Sequence, residues 1–431
     1  MTHAHAHART TTILTTVLGA TLCLGLTACA GSAGGAAAAG GGGGGEGVAW
    51  GAAPEEYAAA LADMEPVTLV YQAGGQGPTG FTGEAELAFE ASVEEWSGGK
   101  IDLEIVWGQA IAPFDEVTEA TADGRIDLGV EIPIYSPSKY PAINDLINLS
   151  PTGAASPYFE EMVTTAALLD VAWNTPEILE SYEEKGATVY TPTMFEFSNA
   201  LMCTEPGGSL AELGGRQMRV GSEADHVLAG TLGGSPVSMQ FVEAFEALQR
   251  NTIDCTFGGL KIGADNGFLT VAPYAVIPTD HAFVRNPTAL VASPKVTSLP
   301  LAAQQLLWDL RAEAFANTIE SNIKFNGQAM GIIEEKGGDV VRLEPDAEAA
   351  LATAVEDLRG QVESSDAVDG AAMIANVEDA LEKYRGIAED LGYVHYEDYF
   401  EFAEAYEAEP FEVDEFANAV FEEVMLERRP S

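Results

Sequence analysis

Between Leu210 and Phe257 the chain alternates short apolar runs with helical repeats in a pattern that few folds can hold. Ser209, with Glu212 three residues on, has the form of a capping box for a one-turn helix that stops at Gly214-Gly215. A strand is expected over Gln217 to Val220. Ser222, followed by Asp225, starts a helix whose apolar side is Ala224, Val227, Leu228 and Leu232, and Gly233-Gly234 ends it. Pro236 to Met239 reads as the next strand. Phe241, Phe245 and Leu248 share one face of a further helix, and Ile253 to Phe257 closes the unit. Strands alternating with helices of this length require right-handed crossovers and a parallel sheet.

In open α/β sheets ligands collect beyond the carboxyl ends of strands, and Arg219 stands near such an end, beside Gly221. A guanidinium there can hold a carboxylate through two parallel hydrogen bonds and keeps its charge. Arg219 could equally pair with one of the 67 acidic side chains of the chain itself.

The runs L-A-E-L-G-G-R-Q-M-R-V (Leu210 to Val220) and G-G-S-P-V-S-M-Q-F-V-E-A-F-E-A-L-Q-R-N-T-I-D (Gly233 to Asp254) resemble the core of the DctP-type solute-binding proteins of TRAP transporters. The likeness extends over roughly Val67 to Ile332 and takes in Gly124 to Val130 and Glu184-Lys185-Gly186. It implies an α/β protein of two lobes, a periplasmic-binding-protein-like clamshell with mixed sheets, crossing hinge strands and a long helix. It further implies a small organic acid bound between the lobes, the membrane subunits of an ion-gradient-driven TRAP permease as partner, and no cofactor. The arginine that takes the substrate carboxylate in that family corresponds to Arg219, and the aromatic that packs near the ligand to Phe241. Two positions depart from the best-known acid-binding branch: Asn199 stands where it has a second arginine, and Gly258 where it has an asparagine. These departures argue against sialic acid.

The N-terminal segment Thr11 to Ala28 is mostly apolar and ends in Leu26-Thr27-Ala28-Cys29, which resembles a bacterial lipobox; residues 1–28 are expected to be a signal peptide and Cys29 a lipidated first residue. Residues 29–52, rich in Gly and Ala, read as a flexible tether to the membrane. The first lobe is expected over 53–196, the second over 197–285, and the return to the first lobe with the long helix over 286–332. An acidic helical region over 333–431 is expected to pack on the lobes. Val67 to Gln72 reads as the opening strand, running into the glycine-rich turn Gly74 to Gly77, which lacks both phosphate-loop spacings and is expected to line the cleft. Gln72 is expected at the cleft as well. Glu131, just past the third strand, reads either as a wall of the cleft or as a solvated carboxylate. Tyr135 to Pro151, with three prolines, reads as a loop, while Ala272 to Val284 and Pro287 to Ser293 read as strands returning to the first lobe.

A formal net charge of −47 argues against nucleic acid or an anionic membrane surface as partner, because both would repel the chain. Cys203 and Cys255 both fall on strands of the second lobe; outside the cytoplasm they are either a disulfide or two buried thiols. There is no HExxH, no metal-spaced Cys/His cluster and no G-x-S-x-G elbow, so the residues offer no sign of an enzyme. A receptor for a neutral solute, serving an ATP-driven importer or a sensor, is the alternative.

Overall fold

The computed structural model describes residues 47–431. The expected signal peptide, Cys29 and most of the tether lie outside the described residues. Eleven strands are present among those residues. In chain order they are Val67–Gln72 (β1), Ile101–Val106 (β2), Leu128–Glu131 (β3), Thr188–Phe195 (β4), Ala200–Cys203 (β5) and Gln217–Val220 (β6). Ser235–Ser238 (β7), Cys255–Gly258 (β8), Tyr274–Ile277 (β9), Pro287–Ala292 (β10) and Asp339–Arg342 (β11) complete them.

Two mixed sheets result, ordered β2-β1-β3-β10-β4 and β11-β9-β5-β8-β6-β7. In β2 the alternation of the sequence becomes an alternation of faces: Ile101 and Leu103 are buried while Asp102 and Glu104 are exposed. The unit from β6 to β8 is parallel, β6 lying between β7 and β8. Its two expected capping boxes are present, Ser209 with Glu212 and Ser222 with Asp225.

Two readings of the sequence are corrected. Tyr135 to Pro151 is not a loop: it holds the helix Pro141–Leu149, with proline in the first turn, where its missing N–H removes no helical bond. Of Ala272 to Val284 only β9 is extended, and it pairs with β5 and β11 in the second sheet instead of returning to the first.

The sheets are joined where β4 runs into β5 and where β9 leads to β10. These crossings hydrogen-bond to each other: the Glu196 N–H donates to the Asn286 carbonyl at 3.1 Å and the Asn199 N–H to the Val284 carbonyl at 2.9 Å. The long helix, Leu301–Glu335, makes the third connection by delivering β11 to the second sheet.

The C-terminal helices cover the outside. Pro345–Glu363 packs on Pro141–Leu149 of the first lobe and on Glu223–Thr231 of the second, and Tyr399–Ala408 and Asp414–Val424 pack on the long helix. Their aromatics Phe402, Phe416 and Phe421 are buried. Arg429 ends the wrapping with a 2.7 Å pair to Asp309 of the long helix. No helix among the described residues is long and apolar enough to cross a membrane.

Candidate functional site

A cavity of about 370 Å³ opens at the hinge. The glycine turn Gly74 to Gly77 and Tyr135 wall it from the first lobe, Glu196, Asn199 and Asn286 from the crossings, and Arg219, Phe241 and Gly258 from the second lobe. The structure therefore brings together Arg219, Asn199, Phe241, Gly258 and the glycine turn.

Arg219 sits on β6 with 3% of its surface exposed. Its Nε donates to the Met239 carbonyl and its Nη1 to the Phe257 carbonyl, both at 2.9 Å. These acceptors lie just past β7 and near the end of β8, so the ends of the two strands that flank β6 hold the guanidinium in place. Among the described residues no carboxylate lies within salt-bridge distance of it. Gly221 makes room for it: a Cβ there would stand 3.1 Å from Nη2. Tyr135, whose hydroxyl accepts the Phe241 N–H at 3.4 Å, is pushed above the usual phenol range by burial, with Arg219 opposing the shift.

Asp225 is the acid of this neighbourhood. Its carboxylate accepts the N–H groups of Gly221 and Ser222 at 3.2 and 3.3 Å and the Asn199 Nδ2 at 3.1 Å. Burial raises its pKa, and the charge of Arg219 and these donors work against that rise. Phe241 opens the helix Phe241–Gln249 and stacks on Phe114 of the first lobe, with ring centroids 6.3 Å apart.

Gln72 and Glu131 are placed away from the cavity. The Gln72 side chain is fully buried and spends both its ends on the segment before Phe114, donating to the Ala112 carbonyl at 2.8 Å and accepting the N–H groups of Ile111 and Ala112. Glu131 is fully buried on the opposite face of β3, accepting the Thr118 N–H at 2.7 Å and the Thr118 hydroxyl at 2.9 Å. Period-two alternation explains this: its neighbour Val130 faces a second chamber behind the cleft. Neither arm of the expectation for Glu131 holds, since it is not solvated either. Desolvation pushes its pKa up to about 7.

Tyr135, Glu196 and Asn286 are site residues that sequence reasoning missed. Tyr135 fell in the segment read as a loop, and the two crossings carry no periodicity that would mark them; only their position between sheets could have pointed to them. The second chamber, about 130 Å³, shares Gly74, Thr82, Glu196 and Thr288 with the cleft and is lined by charged groups. Lys261 pairs there with Glu196 at 2.5 Å, and burial pulls its pKa below the usual lysine range against the field of that carboxylate. Glu86 is raised by burial and accepts the Tyr71 hydroxyl.

Cys203 and Cys255 stand opposite one another on the antiparallel pair β5 and β8 and are joined as a disulfide. Among the described residues no group of His, Cys, Asp and Glu is arranged to hold a metal ion.

A two-lobed α/β protein with a cavity at a hydrogen-bonded hinge, and a buried arginine at its wall, is a ligand-binding clamshell. Residues 76–365 match the family described as DctP, bacterial extracellular solute-binding protein, family 7, and the chain belongs to it. The family is one of solute-binding receptors rather than enzymes. No curated protein matches the chain. A TRAP solute-binding protein from a marine metagenome, specific for aromatic acid ligands and crystallised with 3-hydroxybenzoate, is 18% identical with a TM-score of 0.64, covering 74% of this chain and 99% of that one. One from Rhodoferax ferrireducens with copurified benzoate is 15% identical with a TM-score of 0.65, covering 75% and 99%. A sugar acid binding protein from Advenella mimigardefordensis in complex with galactonate is 20% identical with a TM-score of 0.61, covering 74% and 99%. At these identities the likeness is one of fold.

Proposed function

We propose that the chain is the extracytoplasmic receptor of a TRAP-type transporter, binding a small organic acid between its lobes and delivering it to an ion-gradient-driven permease in the membrane. In this reading 53–196 and 286–332 form one lobe and 197–285 the other, with 333–431 packed over them. Cleavage before Cys29 leaves a lipid anchor, and residues 29–52 let the folded part stand off the membrane.

One observation carries the carboxylate assignment. Arg219 lines the cavity with its Nε and Nη1 bonds given to main-chain carbonyls; among the described residues no carboxylate is within salt-bridge distance, the buried Asp225 feeling its charge from farther off. An incoming carboxylate offers it a charge-assisted bond in a site that closure removes from water. The ligands of the three structural neighbours, 3-hydroxybenzoate, benzoate and galactonate, are all carboxylates and support the class without choosing a member. Delivery then requires that the acid bind the closed form better than the open one, since a ligand without that preference shifts no population.

Titration calorimetry with a panel of monocarboxylates, dicarboxylates, sugar acids, amino acids and neutral sugars tests the reading. At least one acid is expected to bind, and Arg219→Ala to weaken it about a hundredfold. Acid binding that survives the substitution removes Arg219 from the role; binding of neutral solutes alone removes the carboxylate.

A further inference from the structure

Residues 366–431 lie beyond the stretch of 76–365 that the family description matches, and they hold the helices Gly370–Asp390, Tyr399–Ala408 and Asp414–Val424. The first of these is fastened to the first lobe. It packs along Phe159–Trp173, with Arg385 paired to Glu160 at 2.8 Å and the Tyr384 hydroxyl donating to Asp170 at 2.9 Å. The chain after it stays on the same lobe, since the Tyr158 hydroxyl donates to the Val394 carbonyl and the Tyr158 ring stacks on Phe402 with centroids 5.4 Å apart.

Tyr399 and Phe400 turn to the other lobe. Both join an apolar cluster made chiefly by the second lobe, with Ala200, Met202, Leu260 and Ile277. Arg342 of β11, in the second sheet, donates from Nη2 to the Glu397 carbonyl at 2.6 Å and lies over the Tyr399 ring. The Tyr399 hydroxyl meanwhile donates to the Ser156 carbonyl of the first lobe at 2.9 Å. Tyr399 also borders, with Ser198 and Asn199, the narrow gap beside the first crossing. One helix of ten residues, with its lead-in, therefore grips both lobes at the hinge.

The lobes also touch across the cleft, where Phe241 of the second stacks on Phe114 of the first and its N–H reaches the Tyr135 hydroxyl. The grip is thus made with the lobes together. Rotating the second lobe about the crossings carries Arg342 and the surroundings of Phe400 away from Tyr158 and Ser156, and close-packed side chains do not stretch to follow. Opening must break contacts on one side of the helix.

We infer that the segment 393–408 is a brace that holds the lobes in this closed relation and must let go of one of them before the cleft can open. Such a brace raises the population of the closed form before any ligand arrives. No property of the ligand enters, so the carboxylate reading stands or falls separately.

Hydrogen exchange of the full chain, read by mass spectrometry without ligand, tests the brace. Phe400→Ala is expected to speed exchange about fivefold or more in the peptides that carry Tyr135 and Phe241 at the cleft, and to leave those of β1 and β8 unmoved. Tyr399→Phe, which removes only the bond to Ser156, is expected to move the same peptides by less. Faster exchange confined to 393–411 would make the tail a cladding of the hinge and overturn the brace. A uniform rise through the whole chain marks a general loss of stability and overturns it as well. Should Phe400→Ala fail to fold, Tyr399→Phe decides the matter: cleft peptides that exchange as in wild type count against the brace.

Discussion

Arg285 donates from Nε to Glu161 Oε2 at 2.7 Å, and both side chains are sealed from solvent. Glu161 also accepts the Ser198 N–H at 2.8 Å and the Ser198 hydroxyl at 2.6 Å. Ser198 belongs to the first crossing and Arg285 to the second, so one carboxylate on the helix Phe159–Trp173 ties both to the first lobe. The segments that must bend on closure are thus anchored at one end by charge.

Breaking that anchor should be costly. Glu161→Gln leaves the buried guanidinium without a counter-charge, and denaturant melts are expected to show a loss of about 3 kcal/mol or more. Glu161→Leu combined with Arg285→Met removes both charges and is expected to recover most of it. A double variant as unstable as the single one would mean that packing, not charge pairing, supports the hinge.

The disulfide closes a loop with a sequence separation of 52 residues, and that loop holds β6, β7 and the helices Leu210–Leu213, Glu223–Thr231 and Phe241–Gln249, hence Arg219. On chain-entropy grounds a link over that length is worth up to about 4 kcal/mol. Cys203→Ser with Cys255→Ser is expected to lower stability by about 2 to 4 kcal/mol. A reductant should lower the thermal midpoint of the wild type and leave that of the double variant unmoved. An equal response of the two proteins would mean that the link contributes nothing to the folded lobe.

The stretch from Ser209 to Phe257 was legible because each element carried its own local signal. Caps at Ser209 and Ser222, glycine stops, and the apolar face of the helix at Phe241, Phe245 and Leu248 all act within a few residues. Arg219 was legible for a related reason: its place near the end of a strand in a parallel unit sets where its side chain can go. What failed depended on contacts across the fold. The proline-rich stretch hid a helix because proline at a first turn and proline in a loop look alike without the packing partner. Glu131 was read as lying just past the third strand, whereas it is that strand's last residue, and a strand of four residues gives alternation little room to declare where its end points. Asn286 and Glu196 act through main-chain pairing between crossings far apart in sequence, and no local pattern encodes that.

Glu131 offers a pH-dependent test of its placement. Desolvation raises its pKa from 4.5 to about 7 in the folded protein, against the hydrogen bonds from Thr118 that favour the charged form. Between those two values the folded state holds a proton that the unfolded state has released. Unfolding then releases protons, so stability contributed by this group falls as pH rises through the window and levels off above about pH 7. Glu131→Gln removes the titration, and its amide oxygen can still accept the Thr118 N–H. Whatever constant offset the amide introduces, the stability of Glu131→Gln relative to wild type is expected to climb between about pH 4.5 and 7, by at most about 3 kcal/mol. Denaturant melts of both proteins at about pH 4.5, 6 and 8 measure it. A difference that stays flat would mean that the carboxylate remains hydrated in solution, as the solvated reading of Glu131 has it.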